Sequence, residues 1–360
     1  MTQSEKPKPL KGRGAVSNIA GRFAKTVSQS VVEEDACSEP EPARLPTEIR
    51  AEYARTVINR NQSPDIPFRQ SINPYRGCEH GCIYCYARPS HAYVDLSPGL
   101  DFETKLFFKK DAAKLLRREL AKPSYRCQTI VLGANTDPYQ LMEKDYRVTR
   151  DILEVLDEHN HPVAIVTKSA LVTRDVDILS GMAARNLAAV AVSVTSLRND
   201  IKRTLEPRAA APAGRLKAMR ELSDAGVPVT AMVAPVIPLI TDGEIEDILE
   251  AAHAHGARDA AYILLRLPYE VKDLFKEWLE THYPLKAEHV LSLIRQARGG
   301  RENDPRFGHR MRGAGPYADL LRQRFNKACR RLGLNVAEAR PLDTRLFRRP
   351  QEESPQLNLW

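Results

Sequence analysis

The most informative stretch of this sequence is Tyr75–Tyr86, which reads YRGCEHGCIYCY. It holds half of the six cysteines of the chain in the spacing C-x3-C-x2-C, namely Cys78, Cys82 and Cys85. Gly77 and Gly81 lie just before the first two cysteines, and glycine lets a backbone turn tightly around an inorganic group. The spacing therefore predicts a loop that binds a metal centre through three thiolates.

Three thiolates are an incomplete ligand set for either metal centre that cysteine commonly holds. A structural zinc site takes four ligands, so His80 or His91 would have to complete it. A [4Fe–4S] cluster is usually held by four thiolates, and with three of them one iron keeps an open position that a small molecule can chelate. The residues favour such a cluster, with a zinc site and a loop that binds neither metal as the alternatives.

Length and composition exclude several classes of protein. The 360 residues, 42% of them hydrophobic, suffice for one large domain or two smaller ones with a sizeable core. No apolar run approaches the roughly 18–20 residues of a membrane span, and the first residues lack the apolar segment of a secretory signal. Six cysteines are too few for a disulfide-stapled secreted domain. We therefore expect a soluble cytoplasmic protein with no membrane partner.

From Lys105 onward, short β-branched segments alternate with helical stretches. The segments are almost wholly apolar, which is typical of parallel strands covered by helices on both faces. Such βα units build either a closed or partial barrel or an open doubly wound sheet, and both bind ligands at the carboxyl ends of the strands. The predicted strands are Thr129–Leu132, Val163–Thr167, Leu187–Thr195, Val227–Val233 and Ala260–Leu265.

Composition divides the chain into a mostly disordered leader (residues 1–60), a core domain (64–300) and a basic helical extension (301–360). A short helix near Leu45–Val57 is one interpretation within the leader. Between Arg295 and Pro350, fourteen arginines, one lysine and five acids give a net charge of +10, whereas the residues before Arg295 sum to zero. Arginine binds phosphate through its guanidinium fork, so nucleic acid is a candidate partner. A solvated arginine-rich surface is the simpler interpretation.

The cysteine spacing, with the aromatic Tyr84 before the third cysteine and a βα series after it, resembles the signature of the radical S-adenosylmethionine superfamily. The resemblance implies that Cys78, Cys82 and Cys85 hold a [4Fe–4S] cluster whose fourth iron is chelated by S-adenosylmethionine. A flavodoxin- or ferredoxin-type donor would reduce the cluster, and the cofactor would be cleaved to a 5′-deoxyadenosyl radical that abstracts hydrogen from a substrate. The resemblance also implies a partial (βα)6 TIM-like barrel, an α/β fold in which Lys105–Phe108 would be the first strand.

Within the superfamily, the sequence resembles the group similar to spore photoproduct lyase, especially its uncharacterised bacterial members. The resemblance runs from about Ser71 to Arg298 and leaves both ends of the chain unexplained. It implies that a damaged or modified nucleic acid is a candidate substrate. Five motifs carry it: Asn73–Cys78, Cys85–Arg88, Thr136–Gln140, Thr167–Ser169 and Leu205–Arg208.

Polar residues follow the predicted strands, where the resemblance places S-adenosylmethionine. Asn135, Thr136 and Asp137 stand where many members have a Gly-Gly-Glu that meets the methionine amino group, and a turn capped by Asp137 is the alternative. Lys168 matches a lysine that contacts the cofactor carboxylate, and a snorkelling structural lysine is its alternative. Ser193 matches a serine near the carboxylate or ribose, and its alternative is a hydroxyl bonded to backbone.

Three further residues are candidates at the same site. Arg208 could bind a carboxylate with two hydrogen bonds or pair with an acid of the protein. Tyr84 is expected to pack on adenine, and either Tyr84 or Tyr86 could relay a hydrogen atom, although packing is the commoner role for a tyrosine.

Two classes of function compete on these grounds. The first is a radical S-adenosylmethionine enzyme, with nucleic acid as one candidate substrate and a peptide or small molecule as others. The second is a non-catalytic zinc- or iron–sulfur-dependent protein that binds nucleic acid or senses redox state. Metal content and cleavage of S-adenosylmethionine distinguish the two classes.

Overall fold

The computed structural model describes residues 9–24, 45–336 and 341–350. The strands in these residues are β1 (Glu48–Glu52), β2 (Ile58–Arg60), β3 (Gln70–Ile72), β4 (Tyr75–Arg76), β5 (Lys105–Lys109), β6 (Ile130–Leu132), β7 (Val163–Thr167), β8 (Ala188–Ser193), β9 (Val229–Val236) and β10 (Asp259–Leu264).

Seven of these strands form the main sheet, in the order β10-β9-β8-β7-β6-β3-β2. The six strands from β10 to β3 run parallel, and β2 pairs antiparallel with β3 at one edge. Residues of β7 and β8 alternate between buried and partly buried, and none is exposed. This confirms an α/β fold with a covered parallel sheet.

Helices connect the strands and cover the sheet. In α4, Ile152, Val155 and Leu156 recur at helical spacing and are buried, which is how an amphipathic helix packs on a sheet. The helices in the described residues are α1 (Asp101–Thr104), α2 (Ala112–Ala121), α3 (Glu143–Tyr146), α4 (Val148–Glu158), α5 (Val176–Ala184), α6 (Asn199–Leu205), α7 (Pro212–Asp224), α8 (Ile245–Ala254), α9 (Val271–His282), α10 (Ala287–Ala297) and α11 (Pro316–Leu332). Short 3-10 helices occupy Arg88–Val94, Ala170–Asp175 and Asp242–Glu244.

The prediction that Lys105–Phe108 is the first strand of the main sheet is wrong. That segment is β5, which belongs to a separate three-stranded sheet with β1 and β4. The first parallel strand is β3, directly before the cysteines. Two of its three residues are polar, and Gln70 is buried because its side chain bonds the Arg126 carbonyl at 3.0 Å and the Tyr125 hydroxyl at 2.8 Å. The six parallel strands still equal the predicted number.

Parts of the predicted leader are folded. A helix near Leu45–Val57 was one interpretation, but residues 45–60 contain the strands β1 and β2. The first of them is a strand because it pairs in parallel with β5. Residues 9–24 lie against the core, with Arg13 and the two residues Ala15 and Val16 buried. The remainder of the leader lies outside the described residues.

The C-terminal extension is attached to the core through α11. Its buried residues Leu321, Phe325 and Cys329 join the main hydrophobic core. Salt bridges from Arg324 to Glu246 and from Arg331 to Glu250 connect the same helix to α8. Much of the arginine surface is therefore paired with acids rather than free.

A second part of the extension joins the two edges of the main sheet. The Leu264 amide of β10 bonds the Met311 carbonyl at 2.9 Å. Arg310 Nε bonds the Asp65 carboxylate, just after β2, at 2.5 Å, and the Gly308 amide bonds the same carboxylate at 2.7 Å. None of the helices in the described residues combines the length and apolar character that crossing a bilayer requires.

Candidate active site

The cysteine loop follows β4 and ends at the 3-10 helix Arg88–Val94. Gly77 and Gly81 both have positive φ angles, 74° and 69°. A Cβ atom at Gly77 would lie 2.7 Å from Leu106 Cδ2, and one at Gly81 would lie 2.7 Å from a Glu103 carboxylate oxygen. Both glycines are therefore required by conformation and by space.

The three cysteines of this loop are free thiols. Burial raises the pKa of Cys78 and Cys82, whose thiols would bind iron as thiolates. Within the described residues, no three His, Cys, Asp or Glu side chains converge on one metal ion. In a cubane cluster each thiolate binds a different iron, so three thiols can hold it without sharing one metal ion.

Each histidine that could complete a zinc site has one ring nitrogen engaged. His80 Nδ1 lies 3.4 Å from Asp137 Oδ2, and both side chains are buried. His91 Nε2 lies 2.9 Å from the Lys105 carbonyl oxygen, and its ring meets Phe102 edge-on with 5.2 Å between centroids. Within the described residues, neither histidine joins the thiols in a group that could hold a single metal ion, so the donor set suits the [4Fe–4S] group better than zinc.

A buried ion pair holds the backbone of the cysteine loop. Arg88 is fully buried and donates to the Cys82 carbonyl at 2.9 Å and the Gly81 carbonyl at 3.2 Å. Its guanidinium also bonds Glu103 Oε1 at 2.5 Å. Arg88 stands three residues after Cys85, so proximity to the motif was the only sequence signal for this role. Glu103 had none.

Residues 9–24, which we call the strap, pass directly over this loop. The backbone amides of Gly14 and Ala15 each donate to the Glu103 carboxylate at 2.9 Å. Arg13 Nη1 bonds the Glu103 carbonyl at 3.0 Å. The strap and Arg88 thus share one carboxylate, which couples the strap to the backbone between Cys78 and Cys82.

Replacing Gly14 by alanine is expected to displace the strap, because the new Cβ would lie 1.8 Å from the Gly81 carbonyl oxygen. We expect a stability loss of about 1–3 kcal/mol, as for other overpacked positions. Denaturant unfolding of the reconstituted protein measures this loss, and the decay of visible absorbance in air measures exposure of the cluster.

Gly12→Ala is the matched control for Gly14→Ala. Gly12 has a positive φ of 78°, but its Cβ would meet no atom within 4 Å. The control should therefore lose only about 1 kcal/mol from backbone strain and keep the wild-type decay rate. Equal decay rates for the two variants would contradict the close packing of the strap on the loop.

Beneath the loop, a buried network surrounds Glu206. The hydroxyl of Tyr84 and the guanidinium of Arg215 both donate to its carboxylate, and Thr195 Oγ1 donates to it at 2.6 Å. Burial alone would raise the pKa of Glu206, but Arg215, Lys168 and these hydrogen bonds outweigh it and lower the pKa. Glu206 is therefore ionised, and Tyr84 uses its hydroxyl within the protein.

Lys168 lies just past the carboxyl end of β7, beside this network. Its Nζ lies 3.0 Å from the Ala234 carbonyl oxygen, 3.7 Å from Glu206 Oε1 and 5.8 Å from the centroid of the Tyr84 ring. An ammonium has three donors, so the group can still bond a ligand. The structure thus brings Lys168 and Tyr84 together.

The three predicted residues after β6, Asn135–Asp137, differ in how many of their polar groups are free to bind a ligand. Asp137 accepts from Thr167 Oγ1 and from the Lys168 amide, both at 2.7 Å, and so ties the end of β6 to the end of β7. Thr136 is buried and bonds the Tyr75 carbonyl at 2.7 Å. Asn135 bonds Asn73 through its backbone amide at 3.1 Å, and within the described residues its side chain makes no hydrogen bond.

Arg208 pairs with an acid of the cysteine loop. Its guanidinium lies 2.6 Å from Glu79 Oε1, and its amide bonds the His80 carbonyl at 3.2 Å. Arg208 also lines a cavity of about 430 Å³ on the outer side of the loop, together with Tyr139, Lys144, Ser169 and Arg174.

Ser193 and Tyr86 occupy different parts of the site. Ser193 is the last residue of β8, is buried, and accepts a bond from Arg215 at its carbonyl, at 3.0 Å. Tyr86 is 47% exposed, donates to the Ala134 carbonyl, and lies under the Arg266 guanidinium at 5.5 Å from the ring centroid. Tyr86 is therefore the more accessible of the two tyrosines.

Glu206 and Arg215 were not predicted as site residues. Glu206 lies in the Leu205–Arg208 motif, where its position before a proline was a weak signal. Arg215 lies inside α7 and looks like an ordinary surface arginine in the sequence. Only the fold shows that this side chain points inward and is almost fully buried.

Comparison with known proteins agrees with this geometry. The family model described as the radical SAM superfamily matches residues 72–252. An uncharacterised protein of Mycobacterium tuberculosis is 37% identical over 64% of this chain and 68% of its own length, and one of Methanocaldococcus jannaschii is 26% identical over 64% and 82%. Spore photoproduct lyase, in a structure with dinucleoside spore photoproduct, shares the fold at a TM-score of 0.57 and 15% identity, covering 79% of this chain and 80% of that one.

The matched family region contains the cysteine loop and strands β6 to β9, so the agreement covers the site as well as the sheet. The cofactors of this superfamily are a [4Fe–4S] cluster and S-adenosylmethionine, and the three free thiols fit that cluster. The chain belongs to the radical SAM superfamily.

Proposed function

We propose that this chain is an enzyme in which Cys78, Cys82 and Cys85 hold a [4Fe–4S] cluster that reductively cleaves S-adenosylmethionine. When bound, the two cofactors supply a 5′-deoxyadenosyl radical that abstracts hydrogen from a substrate. One observation carries the proposal: a loop whose close packing requires Gly77 and Gly81 bears three free thiols at the carboxyl ends of β6 to β8. Six parallel strands around it suit a partial (βα)6 barrel.

The residues around the loop have distinct proposed roles. Lys168 binds the cofactor carboxylate with the donor capacity that Ala234 and Glu206 leave open. Asn135 offers its side-chain amide near the methionine amino group. Tyr84 packs on the adenine, because its hydroxyl is already bonded to Glu206.

The remaining candidates act mainly through position. Asp137 and Thr136 hold the strand ends that carry Asn135 and Lys168. Arg208 stabilises the loop through its ion pair with Glu79. The Ser193 carbonyl accepts a hydrogen bond from Arg215. Tyr86 meets the substrate, because about half of its surface is exposed beside Cys85.

Nucleic acid is the substrate class that we propose. The C-terminal extension is strongly basic, and exposed Arg330 and Lys327 have no acidic partner within the described residues. Phe307 is 58% exposed and offers an aromatic face on which a base can stack. A flavodoxin- or ferredoxin-type donor in a reducing cytoplasm would supply the electron that this chemistry requires.

The test is an anaerobic reconstitution with iron and sulfide, followed by dithionite and S-adenosylmethionine. We expect about four irons per chain and release of 5′-deoxyadenosine. Deuterated samples of damaged DNA, RNA and peptides are then offered with unlabelled cofactor, and deuterium in the 5′-deoxyadenosine released with nucleic acid is the expected result. A colourless zinc protein that leaves S-adenosylmethionine intact would support the non-catalytic alternative.

A further inference from the structure

Arg266 lies two residues past β10, at the same end of the sheet as the cysteine loop. Its guanidinium carbon is 5.5 Å from the ring centroid of Tyr86, the residue that follows Cys85. The side chain is partly buried. A cation is therefore fixed beside the exposed tyrosine of the proposed active site.

No carboxylate lies within salt-bridge distance of this guanidinium in the described residues. Its one contact of hydrogen-bonding range there is from Nη1 to Met311 Sδ at 3.5 Å, and thioether sulfur is a weak acceptor. Nε is shielded from solvent and has no partner. A partly buried guanidinium without an anion is unfavourable, so the site is incomplete without a ligand.

The acid that could have filled this role is already committed. Asp65 receives hydrogen bonds from Arg310 Nε at 2.5 Å and from the Gly308 amide at 2.7 Å. Arg310 adds positive charge near Arg266, which lowers the pKa of Arg266 together with the larger effect of burial. The surroundings thus favour an incoming anion.

The segment that closes over Arg266 is itself suited to nucleic acid. Met311 bonds the edge of β10 through its carbonyl, and Phe307, four residues earlier in the same segment, is exposed. An exposed aromatic face is an element on which proteins stack a nucleic-acid base.

We propose that Arg266 binds the phosphodiester of a nucleic-acid substrate and so positions the adjoining nucleoside at Tyr86 and the cluster. This rests on the proposed function and adds the group that is recognised and the residue that recognises it. A guanidinium presents paired N–H donors to phosphate oxygens, and the only acceptor that this one contacts in the described residues is the weak Met311 Sδ.

The test compares two probes on the cluster-loaded protein. One is thymidylyl-(3′→5′)-thymidine, and the other is the same dinucleotide with a neutral methylphosphonate linkage. We expect the wild type to bind the charged probe about tenfold more tightly, a difference typical of a charged hydrogen-bonded contact. Arg266→Gln should abolish this preference without changing the affinity for the neutral probe, and Arg266→Lys should keep part of it.

Arg312→Gln is the matched control. The Arg312 guanidinium also lies 5.5 Å from a tyrosine ring, that of Tyr262, but it is exposed on the outer surface. This variant should keep the wild-type preference. Thermal unfolding of each variant verifies that it is folded, and Arg266→Lys retains the test if the glutamine variant does not fold.

Three outcomes overturn the proposal. In the first, the wild type binds both probes equally. In the second, Arg266→Gln and Arg312→Gln lose the preference for the charged probe to the same extent. In the third, Arg266→Gln loses affinity for S-adenosylmethionine instead. The last outcome would assign Arg266 to the cofactor carboxylate. Failure of the proposed function is a separate result, because the wild type would then release no 5′-deoxyadenosine, whatever its preference between the two probes.

Discussion

Alanine in place of Cys82 should leave a folded protein without its cluster. Three thiolates are the minimum set that holds three irons and leaves one open, so loss of one ligand removes the cluster rather than weakening it. We expect the iron content to fall from about four per chain to near zero, visible absorbance to disappear, and 5′-deoxyadenosine release to be abolished. The measurements are iron analysis, absorption spectroscopy and product chromatography on the anaerobically reconstituted variant.

The fold should survive because Cys82 loses only its sulfur atom when alanine replaces it. It belongs to the smaller hydrophobic cluster, and its backbone carbonyl remains bonded to Arg88. Cys127→Ala is the control, since Cys127 lies before β6 and packs partly against the main core, away from the loop. It should keep full iron content. Retained cofactor cleavage in Cys82→Ala would show that the ligand assignment is wrong.

The cysteine loop could be predicted because its chemistry is local. Thiols, glycines and an aromatic residue within Tyr75–Tyr86 predict the ligand set with no information from the rest of the chain. Strands β6 to β10 could also be predicted, because a run of apolar β-branched residues reports burial directly. These two signals are enough to infer the superfamily.

Features that depend on distant pairing could not be predicted in the same way. Strand β3 has three residues and a glutamine whose partners lie more than 50 positions away. The strap looks disordered in sequence, since Gly12 and Gly14 bring no apolar pattern, yet the Glu103 carboxylate holds its amides. Four charged residues look like surface residues in the sequence, but the fold buries them as two ion pairs: Arg88 with Glu103, and Arg215 with Glu206.

The ion pair between Glu206 and Arg215 should be the most costly contact to break. Glu206→Ala removes the carboxylate that Arg215, Lys168 and Tyr84 all face, and Arg215 remains almost fully buried with its charge unpaired. Loss of one partner of a buried pair typically costs about 3–5 kcal/mol. Denaturant unfolding at neutral pH measures this loss of stability. A broader or biphasic transition would show instead that the site loosens while the rest of the fold remains.

The double variant Glu206→Leu/Arg215→Met is the control for the unpaired charge. Replacing both partners by apolar side chains of similar size removes the buried cation, so stability should return to within about 1–2 kcal/mol of the wild type. Cofactor cleavage should not return, because Tyr84 and Lys168 both lose the carboxylate that orients them. A double variant as unstable as Glu206→Ala would place the effect in packing rather than in charge.

The same pair predicts how the difference between wild type and Glu206→Ala depends on pH. The folded-state pKa of Glu206 is lowered from its ordinary value of 4.5, so the unfolded chain binds the proton more readily than the folded one. The contribution is therefore complete above pH 4.5 and declines as the pH falls from there towards the folded-state value. Unfolding free energies of the two proteins should differ by a constant amount between neutral pH and about pH 6 and converge in acid. A difference that shrinks as the pH rises would show that Glu206 is protonated in the folded protein, and the network around Tyr84 and Lys168 would then lack its central charge.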